Sequence, residues 1–150
     1  MALTKVQSEM AGAGQVIQVV QATTTGTVTT SGSTYTSSGL TASITPKFST
    51  SKVLVTVTGG DFDNSTAGYV VIGTIYRNST NLGGGSNLSL TTCYSQLTRS
   101  IFPVILQYLD SPATTSSTTY TMYFYSGGSN VVKYNTQNGM GVITLMEIAA

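Results

Sequence analysis

The chain has no histidine, no tryptophan and a single cysteine, Cys93, among its 150 residues. Without histidine no unperturbed side chain titrates near neutrality, so Ser-His-Asp and Cys-His catalytic arrangements are excluded. One cysteine cannot close an intrachain disulfide, which leaves durability to packing and subunit contacts. Charge is scarce as well. Lys5, Lys47, Lys52, Arg77, Arg99 and Lys133 against Glu9, Asp61, Asp63, Asp110 and Glu147 make 7% of the chain, where an ordinary soluble domain carries about a quarter. The cations are scattered and nearly balanced, and a nucleic-acid surface needs a basic stripe that releases counterions, so no nucleic-acid partner is expected. Long apolar runs are missing too. Ile101 to Leu106 is far too short to span a bilayer, and no run of signal-peptide length follows Met1 to Lys5. The expectation is a soluble protein made in the cytosol, with no membrane partner.

What is present points to strands. Apolar residues are 40% of the chain, enough for one core in a domain of this length. Ser and Thr fill roughly three positions in ten, and Thr together with the nine Tyr fits a pleated, half-buried surface better than a helix. Residues 1–14 differ. Leu3, Val6 and Met10 recur at helical spacing before Gly12-Ala13-Gly14 breaks the pattern, so this stretch reads as a short N-terminal arm that engages a partner through those three side chains. From Gln15 the period becomes two, with about eight or nine strand candidates separated by Gly, Pro, Asn and Ser clusters. They are Gln15 to Gln21, Leu40 to Thr45, Val53 to Thr58, Tyr69 to Tyr76, Leu88 to Tyr94, Ile101 to Leu109, Tyr120 to Tyr125, Val131 to Tyr134 and Val142 to Ile148. Tyr69 to Tyr76 is apolar enough to be covered on both faces, and Pro103 makes its strand an edge or a bulged one. The final strand reads as interior. The expected fold is all-β, an antiparallel sandwich or jelly roll of about eight strands spanning residues 15–150.

The motifs that carry chemistry are weak. A two-carboxylate hydrolase would have to draw on Asp61, Asp63, Asp110 and Glu147, without the tryptophan that often helps orient a sugar. Asp61-Phe62-Asp63-Asn64 alternates oxygen ligands like the start of a calcium loop, but it lacks the glycine and distal glutamate of an EF-hand and reads as an acidic turn after Gly59-Gly60. Gly83-Gly84-Gly85 reads as a flexible loop, since no Lys-Ser or Lys-Thr follows it as in a phosphate cradle. Sequons at Asn64, Asn78 and Asn87 are no more than so much Ser and Thr produces by chance. No catalytic residue, metal site or cofactor is therefore expected. Tyr35, Tyr69, Tyr94, Tyr108, Tyr120, Tyr123, Tyr125 and Tyr134 offer either core packing, subunit contacts or stacking faces for a sugar.

Met1-Ala2-Leu3-Thr4-Lys5-Val6 resembles the start of many phage tail-fibre and tailspike proteins. Gly14 to Val20, Gly39 to Pro46, Ser51 to Val55, Tyr108 to Pro112 and Ile143 to Ile148 together resemble a β-domain common in phages of aquatic bacteria. The resemblance covers nearly the whole chain. It implies a virion protein, usually a trimer, either the head of a longer fibre or a free-standing protein. About a dozen residues precede the first strand, at most ~45 Å of extended chain, so no fibre shaft is expected. The first expectation is accordingly a non-enzymatic homotrimeric capsid decoration, or cement, protein at the virion surface. Its partners would be its own copies and the major capsid protein or another virion protein. Tyr123, Tyr125, Ile143 and Leu145 are the expected subunit-interface residues. The alternative is a tail-fibre or receptor-binding tip whose loops, Asp61 to Ala67, Asn78 to Asn87 and Ser126 to Asn130, contact a host glycan or protein.

Overall fold

Alternation of apolar and polar side chains along most segments leaves the chain one good solution, two sheets facing each other across a shared core. The computed structural model describes residues 12–128 and 130–150, and among these there is no helix. Eleven strands run in the order β1 Val16–Thr24, β2 Val28–Thr30, β3 Thr36–Ile44, β4 Lys52–Asn64, β5 Tyr69–Arg77, β6 Thr80–Asn81, β7 Thr91–Ser95, β8 Ser100–Asp110, β9 Thr118–Ser126, β10 Val132–Tyr134 and β11 Gly141–Ile148.

The first sheet has β8 on one edge beside β4. On the other side of β4, β11 pairs with residues 52–58 and β10 with residues 62–64, so these two lie end to end. β1 and β2 likewise lie end to end outside them. In the second sheet β3, β9 and β5 are neighbours, and β7 and β6 share the outer edge of β5. Counting end-to-end strands as one row, each sheet has four rows and the chain has eight. First row pairs with last, second with seventh, third with sixth and fourth with fifth. That is a long antiparallel ribbon wrapped on itself, the jelly-roll arrangement expected of the sequence.

Inward positions fill the space between the sheets. Val53, Val55 and Val57 of β4, Tyr120, Met122 and Phe124 of β9, and Ile143 and Leu145 of β11 are all fully buried. Phe62, Phe124 and Tyr134 meet at ring-centre distances of 5.7, 6.2 and 6.3 Å, tilted or edge-on as aromatic quadrupoles prefer. β11 is interior, flanked by β1 and β4.

Several segments depart from the sequence reading. Residues 61–64 are not a turn but the second half of β4, which resumes after a bulge at Gly59 and Gly60. Both glycines are left-handed, and a Cβ at Gly59 would lie 2.3 Å from the Met140 carbonyl oxygen, so no other residue fits the bulge. The bulge lies across from Pro103 on edge strand β8, where a residue without an N–H is tolerated. Leu88 and Leu90 precede β7 instead of starting it. Leu88 is left-handed at φ 49°, in a turn closed by a bridge between Gly84 and Ser89. That bridge makes the triglycine stretch a tied loop, and a Cβ at Gly83 would strike the Leu88 carbonyl. Strands β2 and β6 are two or three residues long and carry no alternation to read.

Candidate functional site

The four carboxylates of the described residues each hold a separate set of protein partners. Asp61 accepts hydrogen bonds from the Thr136 hydroxyl at 2.6 Å, the Thr136 N–H at 3.2 Å and the Gln137 N–H at 3.0 Å, tying the loop after β10 to the bulge. Asp63 is gripped by Arg99, Nη2 at 2.7 Å and Nε at 3.1 Å. The Arg99 guanidinium keeps the Asp63 carboxyl below the usual carboxylate range. Asp110 accepts from Arg77 Nη1 at 2.9 Å and from the buried Tyr120 hydroxyl at 2.7 Å. Burial and the adjacent Asp110 push that phenol well above its ordinary value. Because Asp110 ends β8 in one sheet while Arg77 and Tyr120 belong to the other, this trio clips the two sheets together.

Glu147 is fully buried and accepts from Gln18 Nε2 at 2.6 Å and the Lys47 N–H at 2.7 Å, with the Phe48 N–H at 3.4 Å. Burial pushes its carboxyl up, but the Ser51 and Gln18 side chains and the two backbone N–H groups outweigh that and hold it below the usual value. Hydrolysis by two carboxylates needs both to face one substrate. Here each has its oxygens taken up by its own structural partners, loop backbone and side chains for Asp61 and Glu147, Arg99 for Asp63, and the inter-sheet clip for Asp110. Asn64 is engaged too, donating to the Tyr69 carbonyl and accepting from the Thr66 N–H. Among the described residues no three His, Cys, Asp or Glu side chains are grouped for a metal.

The outward faces of the two sheets remain. On the first sheet the pairings set side chains in rows: Val19, Met146, Leu54 and Leu109, then Gln21, Thr144, Thr56 and Gln107, then Thr23, Val142, Thr58 and Ile105. Ile105 is 68% exposed, Val19 56% and Leu109 48%. Lys52 is the charged side chain in this half, whereas Lys133, Asp61, Asp63 and Arg99 gather at the other end around β10. The result is a flat, nearly uncharged face of aliphatic and threonine side chains. Exposed apolar groups gathered on one nearly uncharged face, here on either side of the Gln21, Thr144, Thr56 and Gln107 row, mark contact surfaces.

The outward face of the second sheet carries a tyrosine cluster. Tyr76 of β5 and Tyr123 of β9 pack at 4.2 Å between ring centres, and Tyr35, just before β3, meets Tyr125 edge-on at 4.6 Å and Tyr76 at 5.8 Å. The Tyr35 hydroxyl lies 2.9 Å from the carbonyl oxygens of both Asn87 and Leu88, which pins the tied loop onto the rings. Burial, with Tyr125 and Tyr76 alongside, pushes the Tyr35 phenol up to about 12. Between rings and loop lies an open cleft of about 480 Å³, lined by Tyr35, Tyr76 and Tyr125 together with Ser33, Thr34, Ser86, Asn87 and Leu88.

Of the expected interface residues, Tyr123 and Tyr125 are thus half-buried on the outer face of the second sheet, within one cluster. Ile143 and Leu145 are elsewhere, at 0% exposure in the core, where packing inside one chain already accounts for their burial. The side chains that β11 turns outward are Val142, Thr144, Met146 and Ile148. Leu3, Val6 and Met10 lie outside the described residues; Gly14, at the end of the expected arm, donates to the Ala149 carbonyl at 2.7 Å and is tied to the domain. Tyr35 and Tyr125 are among the tyrosines that the sequence offers as stacking faces, whereas Tyr76, Ser33 and Thr34 carry no pattern that marks them, because the cleft is made by a loop folding back over the sheet. The proposed recognition loops are shorter than expected, since residues 61–64 and 80–81 are strand and Ser126 ends β9.

No family model matches the chain, and no curated protein matches it. Among solved structures, the infectious bursal disease virus Gt strain is similar at TM-score 0.42 and 13% identity, over 100% of this chain and 43% of that one. The VP2 subviral particle of the same virus gives 0.41 and 13%, again over 100% and 43%. Its T=1 particles give 0.40 and 14%, over 100% and 41%. The chain spans less than half the length of each, and identities this low carry no function across.

Proposed function

We propose that the chain is a non-enzymatic structural protein of a phage particle, a homotrimer that decorates the capsid surface. The observation that carries this reading is the nearly uncharged outer face of the first sheet, with Val19, Leu109 and Ile105 open to solvent. A face with little charge of its own meets a second copy without like-charge repulsion, and we assign it to contacts between the copies of the trimer. Apolar burial there stabilises association by roughly 25 cal/mol per Å² before ordering costs. The outward side of β11 belongs to this face, so the final strand contributes Val142, Met146 and Ile148 to the contact, while Ile143 and Leu145 support it from within. Leu3, Val6 and Met10 of the arm are proposed to reach the shell. The sequence resemblance to phage β-domains and the engagement of all four described carboxylates in structural contacts favour the same reading.

Protein counting on purified particles tests it. Hundreds of copies per particle are expected of a decoration protein. A few copies confined to the tail would overturn that assignment in favour of a receptor-binding tip.

A further inference from the structure

The geometry points to the tyrosine cleft on the second sheet as a binding site for a neutral saccharide. This inference rests on the cleft alone and holds whether the chain sits on head or tail. A pyranose ring presents faces of C–H groups and a periphery of hydroxyls. The cleft answers both. Three phenol rings, those of Tyr35, Tyr76 and Tyr125, line it, and aromatic rings attract C–H groups. Its polar lining is hydroxyls from Ser33, Thr34 and Ser86 and the Asn87 amide, neutral groups able both to donate and to accept. Among the described residues no charged side chain lines it, so a phosphate, sulfate or sialic acid would find no countercharge there. The volume of about 480 Å³ falls within the range of small-ligand sites.

Two further features show a cleft that is built and held. The Tyr35 hydroxyl fastens the 86–88 loop to the rings, so the walls are in place before a ligand arrives. Leu88 is left-handed, an unfavourable conformation for leucine, yet its side chain stays half exposed at the mouth of the cleft and gains little from packing. An exposed apolar group held at such a cost fits contact with a ligand better than folding.

The test uses the whole protein on an array of neutral and acidic microbial glycans, followed by saturation-transfer NMR with the glycans retained. The expected result is retention of neutral glycans, with transfer from tyrosine ring protons. Asn87→Ala, a change at an exposed lining position, should weaken binding about tenfold with an unchanged melting temperature. Tyr125→Phe should keep binding because the ring remains, whereas Tyr125→Ser should lose it. Retention of acidic glycans alone, no retention at all, or binding that survives both Asn87→Ala and Tyr125→Ser would overturn the assignment.

Discussion

The two outer faces of this jelly roll are made from the same kinds of strand and are finished in opposite ways. The first sheet leaves Val19, Leu109 and Ile105 exposed across its outer face, with none of the described residues folded over them. The second sheet folds the 82–90 loop and Tyr35 back over its strands, so that Ile72 and Thr74 are buried although they point away from the core. Among the described residues one face is left open and the other is folded over into a cleft. A flat apolar surface suits a broad partner, and a concave aromatic one suits a small ligand.

The largest effect should come from breaking what joins the faces. Asp110→Ala leaves Arg77 and the buried Tyr120 hydroxyl without their acceptor. It should lower unfolding free energy by about 3 kcal/mol in urea titration, near the low end for a broken buried pair, because Arg77 is still 27% exposed. Tyr76→Ala, which removes the ring between Tyr35 and Tyr123, should cost about 2 kcal/mol and loosen the cleft, seen as faster amide exchange in residues 86–88.

Acid should act next. Asp63 and Glu147 titrate lower folded than unfolded. Their stabilisation is therefore complete above the unfolded carboxylate values near pH 4 and is lost as pH falls through the folded ones. Urea midpoints should be flat down to about pH 5 and then drop, and the drop should be smaller in Asp63→Asn combined with Glu147→Gln. Tyr35 and Tyr134 act at the other end. Burial pushes both up to about 12, so stability should fall as pH rises from about 10 toward 12. The smallest effect on folding belongs to the first sheet's open face, where Ile105→Asp should change single-chain stability by no more than about 0.5 kcal/mol. If it costs several times that, the face is already supporting the fold and the contrast between the two sheets fails.

The sandwich was legible because period-two alternation reports burial directly, as Val53, Val55 and Val57 or Tyr120, Met122 and Phe124 demonstrate. The row pairing was not, since register between distant strands leaves no mark in either strand alone. Alternation also says that a side chain points inward or outward without saying what covers it. Ile143 and Leu145 look like interface candidates for that reason, and the second sheet packed over the inward side of β11 makes them core. The cleft was least legible of all. It depends on Leu88 adopting a left-handed turn and on one hydroxyl, Tyr35, reaching across more than fifty residues of sequence.

Light scattering on the purified chain at micromolar concentration, run beside Ile105→Asp and Val19→Asp, bears most directly on the open face. The native protein should give three times the 15.6 kDa of one chain, and the two variants should fall to the single-chain mass while keeping the native β-sheet circular dichroism, melting lower only by the lost association. A native protein that scatters as a single chain, or variants that keep the full assembled mass, would contradict the account.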